Sequence, residues 1–428
     1  MRKVVLTTIG TLGDLHPFIA IGLALRKRGF TPVLAVPEDQ VLKCRRAGLE
    51  AVAILPGFDA VQKRMGLSHE EAVRRVIANQ RVMLEQVLLP GLSDSTRALD
   101  AVAADAEAII ASIFVFAAPM IAEKRNLPLI SVILQPMAML SAYDPPRTPD
   151  FWMMRDQPVG RVGRVWNRTA YTVLRRVLHG LYGRRFDRVR AEHGLPPKGA
   201  RRALEPDSRS ILQLGCYSPH LAPLPPDAPP STKIVGFPVF DSGSGSEETL
   251  DPMLADFLAA GPAPLVFTLG SFAVNSAGGF YDTAAQVSRR LGMRAVLLVG
   301  GDAAPSIEGD VLRCGYAPHS LLFRSAAAII QHGGVGTTGQ ALRAGKPQLV
   351  VPHMGDQNDH GHRIARLGAG LRLRADRFSV ARATRRIGRL LHDPAYSVVA
   401  AEIARRMADE DGANAAAEAI AHALGGVA

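Results

Sequence analysis

The run Gln331–Asp359, QHGGVGTTGQALRAGKPQLVVPHMGDQND, holds the densest set of residues in this chain that could do chemistry. Glycines 333, 334 and 336 let a backbone approach a ligand closely. Thr337 and Thr338 follow at an expected helix start, where free backbone N–H groups and the positive end of the helix dipole attract phosphate. His332 precedes the turn and can donate to a phosphate oxygen. The bland reading is a glycine turn that only joins a strand to a helix. It loses weight because a second glycine loop, Gly270-Ser271, leaves another apolar run in the same half of the chain. Near the N-terminus, Gly10-Thr11-Leu12-Gly13-Asp14 sets a carboxylate just past the first apolar run. Asp14 reads either as a base for an attacking hydroxyl or as the N-cap of a helix beginning at Pro17. His16 lies two residues on, as a weaker candidate.

The elements that would position these groups alternate. Val4–Ile9 reads as a buried strand, Pro17–Arg28 as a helix ending at Gly29, residues 31–36 as a strand, and residues 38–47 as a helix ending at Gly48. Residues 108–110 and 129–132 read as further strands with a helix between them. Residues 143–158, rich in proline, break the pattern, and residues 166–192 resume as a long basic helix. The alternation restarts with strands at 265–269, 295–299, 327–330 and 348–351, each closed by Gly, His-Gly or Pro, and an alanine-rich helix follows at about 414–424. Strand–helix alternation implies right-handed βαβ units and parallel sheets, whose ligands bind at the carboxyl edge.

The 428 residues exceed one ordinary domain. Composition is that of a globular chain, with 47% hydrophobic and 21% charged residues, which excludes a disordered, collagenous or coiled-coil protein. Cys44, Cys216 and Cys314 are too few and too scattered for a disulfide framework, so a reducing, cytoplasmic setting is expected. Neither a cleavable leader nor a run long enough to span a bilayer is legible. The net charge of +11 is concentrated: residues 155–202 carry twelve Arg and one Lys against Asp156, Asp187 and Glu192. That stretch reads as a solvated face, or as a peripheral contact with an anionic membrane. No nucleic-acid motif accompanies it. His353, Asp356, Asp359, His360 and His362 crowd together, but without the His-x-x-x-His spacing of a zinc helix, so no metal is expected.

The His-Gly-Gly-x-Gly-Thr-Thr run, the Ala-Gly-x-Pro turn at 344–347 and the Asp356-Gln357 pair resemble, in order, the nucleotide-sugar signature of the UDP-glycosyltransferase superfamily (glycosyltransferase family 1, GT-B fold). The likeness is nearest to the sterol glucosyltransferase and rhamnolipid rhamnosyltransferase branches, and Ile9–Leu25 resembles that family's first loop and helix. The resemblance implies an α/β fold with two Rossmann-like domains whose parallel sheets face across a cleft. It implies an acceptor domain at 1–220, a linker at 221–246, a nucleotide-sugar domain at 247–405, and a C-terminal helix at 406–428 that packs back on the first domain. It implies Asp14 as the base beside Gly13, and Ser112 where plant relatives carry a second, orienting Asp. His332, Gly334, Gly336, Thr337 and Thr338 would bind the diphosphate, covered by Gly270 and Ser271. Tyr316, Ala317 and His319 would hold the nucleobase. Asp356 and Gln357 would grip the sugar, and Gln340 stands where plant relatives have a ribose-binding Glu. The substrates implied are a UDP- or dTDP-sugar and a lipophilic acceptor held by loops at 57–89 and 134–166, with no cofactor.

Three rivals share these residues. A dinucleotide oxidoreductase would use Gly10, Gly13 and Glu38 or Asp39, but its Gly-x-Gly-x-x-Gly fingerprint is absent after the first strand. A sugar-nucleotide 2-epimerase has the same two-domain fold. A lipid carrier on a dead transferase would not need an intact Asp14 and phosphate loop.

Overall fold

Val4, Val5 and Leu6 are wholly buried, as a strand covered on both faces requires. They lie in β1 (Arg2–Thr7) of a computed structural model that describes residues 2–425 except 80, 157–158, 202, 243–244, 246–248 and 302. The chain divides into two compact units. The first comprises Met1–Ser68, Gln80–Phe240 and Asp411–Ala428, and the second comprises His69–Asn79 and Asp241–Glu410.

The first unit holds β1, β2 (Phe30–Pro37), β3 (Glu50–Leu55), β4 (Ala108–Ser112), β5 (Leu129–Ile133), β6 (Leu212–Gly215) and β7 (Thr232–Ile234), all parallel, in the order β3-β2-β1-β4-β5-β6-β7. The chain fills one side of β1 and then returns to the other through β4. The switch point, where open α/β sheets bind ligands, is therefore outside the carboxyl ends of β1 and β4. Helix Gly412–Ala423 packs on helix Leu12–Lys27, and a Cβ at Gly412 would come within 2.5 Å of the Phe237 backbone.

The second unit holds β8 (Leu265–Thr268), β9 (Ala295–Leu298), β10 (Ser306–Glu308), β11 (Val311–Cys314), β12 (Ala328–Gln331), β13 (Gln348–Val350) and β14 (Gly370–Arg372). Their order is β10-β11-β9-β8-β12-β13-β14, parallel except for the β10–β11 pair. Alternate residues pack on opposite faces. Phe267, Leu297 and Ile330 meet Phe280, Tyr281 and Ile387, while Val266, Val296 and Ile329 meet Phe257, Leu322 and Phe323. This sheet switches direction between β8 and β12.

Two expectations shift. The first helix begins at Leu12, not Pro17, with Pro17 inside it. Proline favours the first helical position, but Thr11 and Asp14 form a capping box a turn earlier. Within 221–246, β7 joins the first sheet, and the break between units falls after Phe240. All three cysteines are free and buried. No helix among the described residues is long and apolar enough to cross a membrane.

Candidate functional site

At the switch point of the second sheet, β8 runs out into Gly270 and β12 into His332. A Cβ at Gly270 would lie 2.4 Å from His332 Cε1, and one at Gly334 would lie 2.4 Å from His332 Nε2. The imidazole therefore lies against two bare glycine Cα atoms, and Gly270 needs its left-handed φ of +67° besides. His332 is buried, and Nδ1 has no hydrogen-bond partner among the described residues. Burial, helped by His353, His319 and His360, pushes its pKa down to about 3. His332 is thus neutral and can offer a ligand one N–H.

The loop after His332 is held from beneath by Gln331, which is fully buried. Gln331 Nε2 donates to Thr338 Oγ1 (3.1 Å) and Gln348 Oε1 (3.0 Å), and its Oε1 accepts from Gly333 N–H (2.5 Å). His360 Nδ1 lies 2.7 Å from the Gly333 carbonyl oxygen, so Nδ1 carries the proton. Helix Val335–Arg343 then starts at Gly334, with no side chain capping it. Thr337 and Thr338 are buried in its first turns, and the Thr338 hydroxyl is engaged by Gln331. A Cβ at Gly336 would meet nothing within 4 Å. Packing does not require that glycine, which costs a helix about 0.5–1 kcal/mol relative to alanine; it leaves the uncapped N–H groups sterically open. Gln340 is half-buried one turn further on.

Helix Gly355–Leu367 borders the same loop. Gln357 Oε1 accepts from the N–H groups of His353 (2.9 Å) and Met354 (3.1 Å), leaving its amide NH2 to donate outward. Desolvation, reinforced by Asp359, raises the pKa of Asp356, against an opposing pull from His360, whose Nδ1 is 3.7 Å from the carboxylate. Asp359 is committed to a buried ion pair with Arg363 at 2.6 Å. Among the described residues no group of three or more His, Cys, Asp or Glu is placed to hold a metal.

Beyond β11, Ala317 is buried and Tyr316 is half-buried. Tyr316 Oη donates to Asp241 Oδ1 (3.1 Å), and Ser320 N–H donates to Asp241 Oδ2 (2.6 Å). The His319 ring lies 6.1 Å from that of Tyr316 and stacks on Phe323 at 4.5 Å, and burial lowers its pKa. Ser271 is exposed beside Gly270. The sequence offers His360 only as a member of a possible metal cluster, not as a brace for this loop, and it does not single out Gln331 or Asp241. Gln331 and His360 flank the motif, so proximity was their signal; Asp241 sits in a stretch that reads as linker.

In the first unit, Asp14 lies at the switch point after β1, half-buried. Its Oδ2 accepts the Thr11 N–H at 3.2 Å, completing the capping box. A Cβ at Gly10 (φ +108°) would come within 2.1 Å of that oxygen, so glycine is obligatory there. Both readings of Asp14 therefore draw on one geometry: the carboxylate caps its own helix and stands at the ligand edge of the sheet. Ser112, buried at the end of β4, accepts from Phe114 N–H at 3.5 Å. Gly13 leaves open space where a Cβ would be, and the His16 ring meets Phe240 edge-on at 5.5 Å. A small apolar recess at the same edge is lined by Ile9, Leu55, Leu88, Leu92, Phe114 and Phe116. Asp39, one of the two acids a dinucleotide could use, is packed against Gly57.

Residues 300–424 match the family described as erythromycin biosynthesis protein CIII-like, C-terminal domain. The chain is 29% identical to O-mycaminosyltylonolide 6-deoxyallosyltransferase of Streptomyces fradiae, over 96% of this chain and 94% of that one. It is 28% identical to vancomycin aglycone glucosyltransferase of Amycolatopsis orientalis, over 86% and 85%. It is also 26% identical to sterol 3-beta-glucosyltransferase of Emericella nidulans, over 98% of this chain but only 30% of that longer protein. The solved structure of the glycosyltransferase VinC in complex with dTDP superposes with a TM-score of 0.68 at 18% identity, over 99% of this chain and 100% of that one. These likenesses place the chain among glycosyltransferases with the GT-B fold.

Proposed function

We propose that this glycosyltransferase moves a hexose from a UDP- or dTDP-sugar to a hydroxyl of a lipophilic acceptor, with inversion and with Asp14 as base. The observation that carries the donor half is the His332 loop: a neutral N–H donor, an uncapped helix start and a sterically open Gly336 converge at one switch point. A leaving diphosphate needs such preorganised donors, and backbone N–H groups supply them without a metal. In this reading Ser271 covers the phosphates, the Tyr316 face stacks on the base, His319 lies beside it, and Gln340 borders the ribose. The Gln357 amide and the Asp356 carboxylate grip the sugar hydroxyls. The solved relative bound to dTDP supports a nucleoside diphosphate donor.

For the acceptor half, Asp14 places a carboxyl group at the carboxyl edge of the first sheet, held there by the Thr11 N–H. The acceptor hydroxyl sheds its proton to this carboxylate as its oxygen attacks the anomeric carbon and the bond to the diphosphate breaks. One displacement inverts that carbon. Relatives named for tylonolide, vancomycin aglycone and sterol transfer favour a greasy acceptor.

The test is a panel of UDP- and dTDP-sugars with hydroxylated lipids, sterols and polyketides, read by mass spectrometry and by nucleoside diphosphate release. Acceptor-dependent release that persists in excess EDTA is expected. Release independent of any acceptor, with an isomerised sugar, would favour the epimerase. Loss on chelation with recovery on added magnesium would overturn the metal-free mechanism.

A further inference from the structure

Helix Arg161–Glu192 is apolar on two faces. One face is core: Leu178, Tyr182, Phe186 and Val189 are buried against Leu92, Phe116 and Met120. The other face is bare. Val162, Val165, Trp166, Val173, Val177 and Leu181 fall on one side of the helix, the last three at four-residue spacing, and all are exposed, Val162 by 85%. They form one stripe about 28 Å long at 1.5 Å per residue. Trp152, 80% exposed, and Met153 continue it at the N-terminal end, where Trp166 Nε1 donates to the Met153 carbonyl at 2.9 Å.

The charge beside this stripe is not spent internally. Arg175 is paired with Glu205 and Arg190 with Glu123. Arg161, Arg168, Arg176, Arg184, Arg185 and Arg188 are exposed and carry no ion pair among the described residues. Arg202 lies outside the described residues.

We infer that this helix is a membrane-docking surface, seated lengthwise on a bilayer that contains anionic lipid. The aliphatic stripe would lie at the acyl boundary, Trp152 and Trp166 at the headgroup level, and Arg176, Arg184 and Arg188, which share its side of the helix, on lipid phosphates. Charge decides the occupant. Two copies of this face would bring like charges together, whereas an anionic bilayer complements both the apolar stripe and its basic border. Such seating would set the enzyme where a lipophilic acceptor is dissolved, but it does not depend on the chemistry assigned to Asp14 or His332.

The chain offers its own probe, because Trp152 and Trp166 are its two tryptophans. The full-length protein is mixed with vesicles of phosphatidylcholine, with or without phosphatidylglycerol, and followed by tryptophan emission and co-sedimentation. Emission should shift to the blue with the anionic vesicles at low salt and revert at high salt. Val173→Asp/Val177→Asp should weaken partitioning about tenfold or more through the lost apolar contact. Arg176→Gln/Arg184→Gln/Arg188→Gln should weaken it to a similar degree and flatten its salt dependence. These positions are exposed, so circular dichroism and transfer to a soluble acceptor should stay at wild-type levels in both variants. An unshifted emission, equal binding to neutral vesicles, or variants that bind as wild type would each overturn the proposal. So would a dimer that Val173→Asp/Val177→Asp dissociates while vesicles leave the emission unchanged, since the face would then meet a second copy.

Discussion

Gly270→Ala isolates the contact on which the phosphate site is built. The new Cβ would lie 2.4 Å from His332 Cε1 and 2.8 Å from Nε2, where ordinary contact begins at 3.4 Å. The imidazole must retreat by about 1 Å, and a misplacement of that size can cost about 10²-fold in rate. The same change puts a side chain at φ +67°, with a strain of about 1–2 kcal/mol. That is a loss of several degrees in Tm. Strain and displacement can be told apart with Gly292→Ala, because Gly292 sits at φ +62° with nothing within 4 Å of its Cβ. Both variants should lose thermal stability, Gly270→Ala at least as much as Gly292→Ala because it adds the contact with His332. Only Gly270→Ala should raise the donor KM or lower kcat, by about ten- to a hundredfold. Initial-rate kinetics with varied donor at saturating acceptor, beside a melting curve, make the comparison. Wild-type donor kinetics in Gly270→Ala, or equal kinetic damage in Gly292→Ala, would refute the role given to the His332 position.

Gln331→Leu strips the loop of its brace and leaves the Gly333 N–H buried without a partner. About 1–3 kcal/mol of stability should be lost, with a donor KM about tenfold higher and the acceptor KM unchanged; equal changes in both would point to general unfolding. His332 has a folded pKa of about 3 against about 6.5 in the unfolded chain. Between those values the unfolded chain holds the extra proton, so its contribution to stability falls as pH drops, by up to about 1.4 kcal/mol per pH unit. Denaturant titrations at pH 5 and pH 7 should show His332→Gln to be less pH-sensitive than wild type, and an identical pH dependence would contradict the neutral, buried imidazole.

The central strands were legible because strands buried on both faces read as uninterrupted apolar runs, as in Val4–Leu6 and Ile329–Ile330. The edges were not. All three residues of β10 are exposed, and β7 is three residues in a proline-rich stretch. Pro17 misplaced the first helix, although Thr11-x-x-Asp14 is itself a capping signal that could have corrected it. The phosphate loop could be read from its glycines, because glycine is the residue that such close approach demands. What braces it could not. Gln331 acts through Gln348 across a neighbouring strand, and Asp241 meets Tyr316 across 75 residues of chain; those pairings exist only after folding. The basic charge of residues 155–202 was visible, but the six arginines without an ion pair among the described residues could be told from the paired ones only once Glu123 and Glu205 were in place.

The claim that Asp14 is the base is tested most directly by the turnover of Asp14→Asn under saturating donor and acceptor, with donor affinity measured separately by calorimetry. Asparagine retains a side-chain oxygen to accept the Thr11 N–H now held by Asp14 at 3.2 Å, so the capping box and the fold should persist. What it lacks is proton affinity, and a positioned base is worth about 10²–10⁴-fold. The account predicts a kcat lower by at least about 10²-fold, with donor affinity and melting temperature near wild type. Near-wild-type turnover in a folded Asp14→Asn protein would contradict it, leaving Asp14 as the cap of its own helix and nothing more.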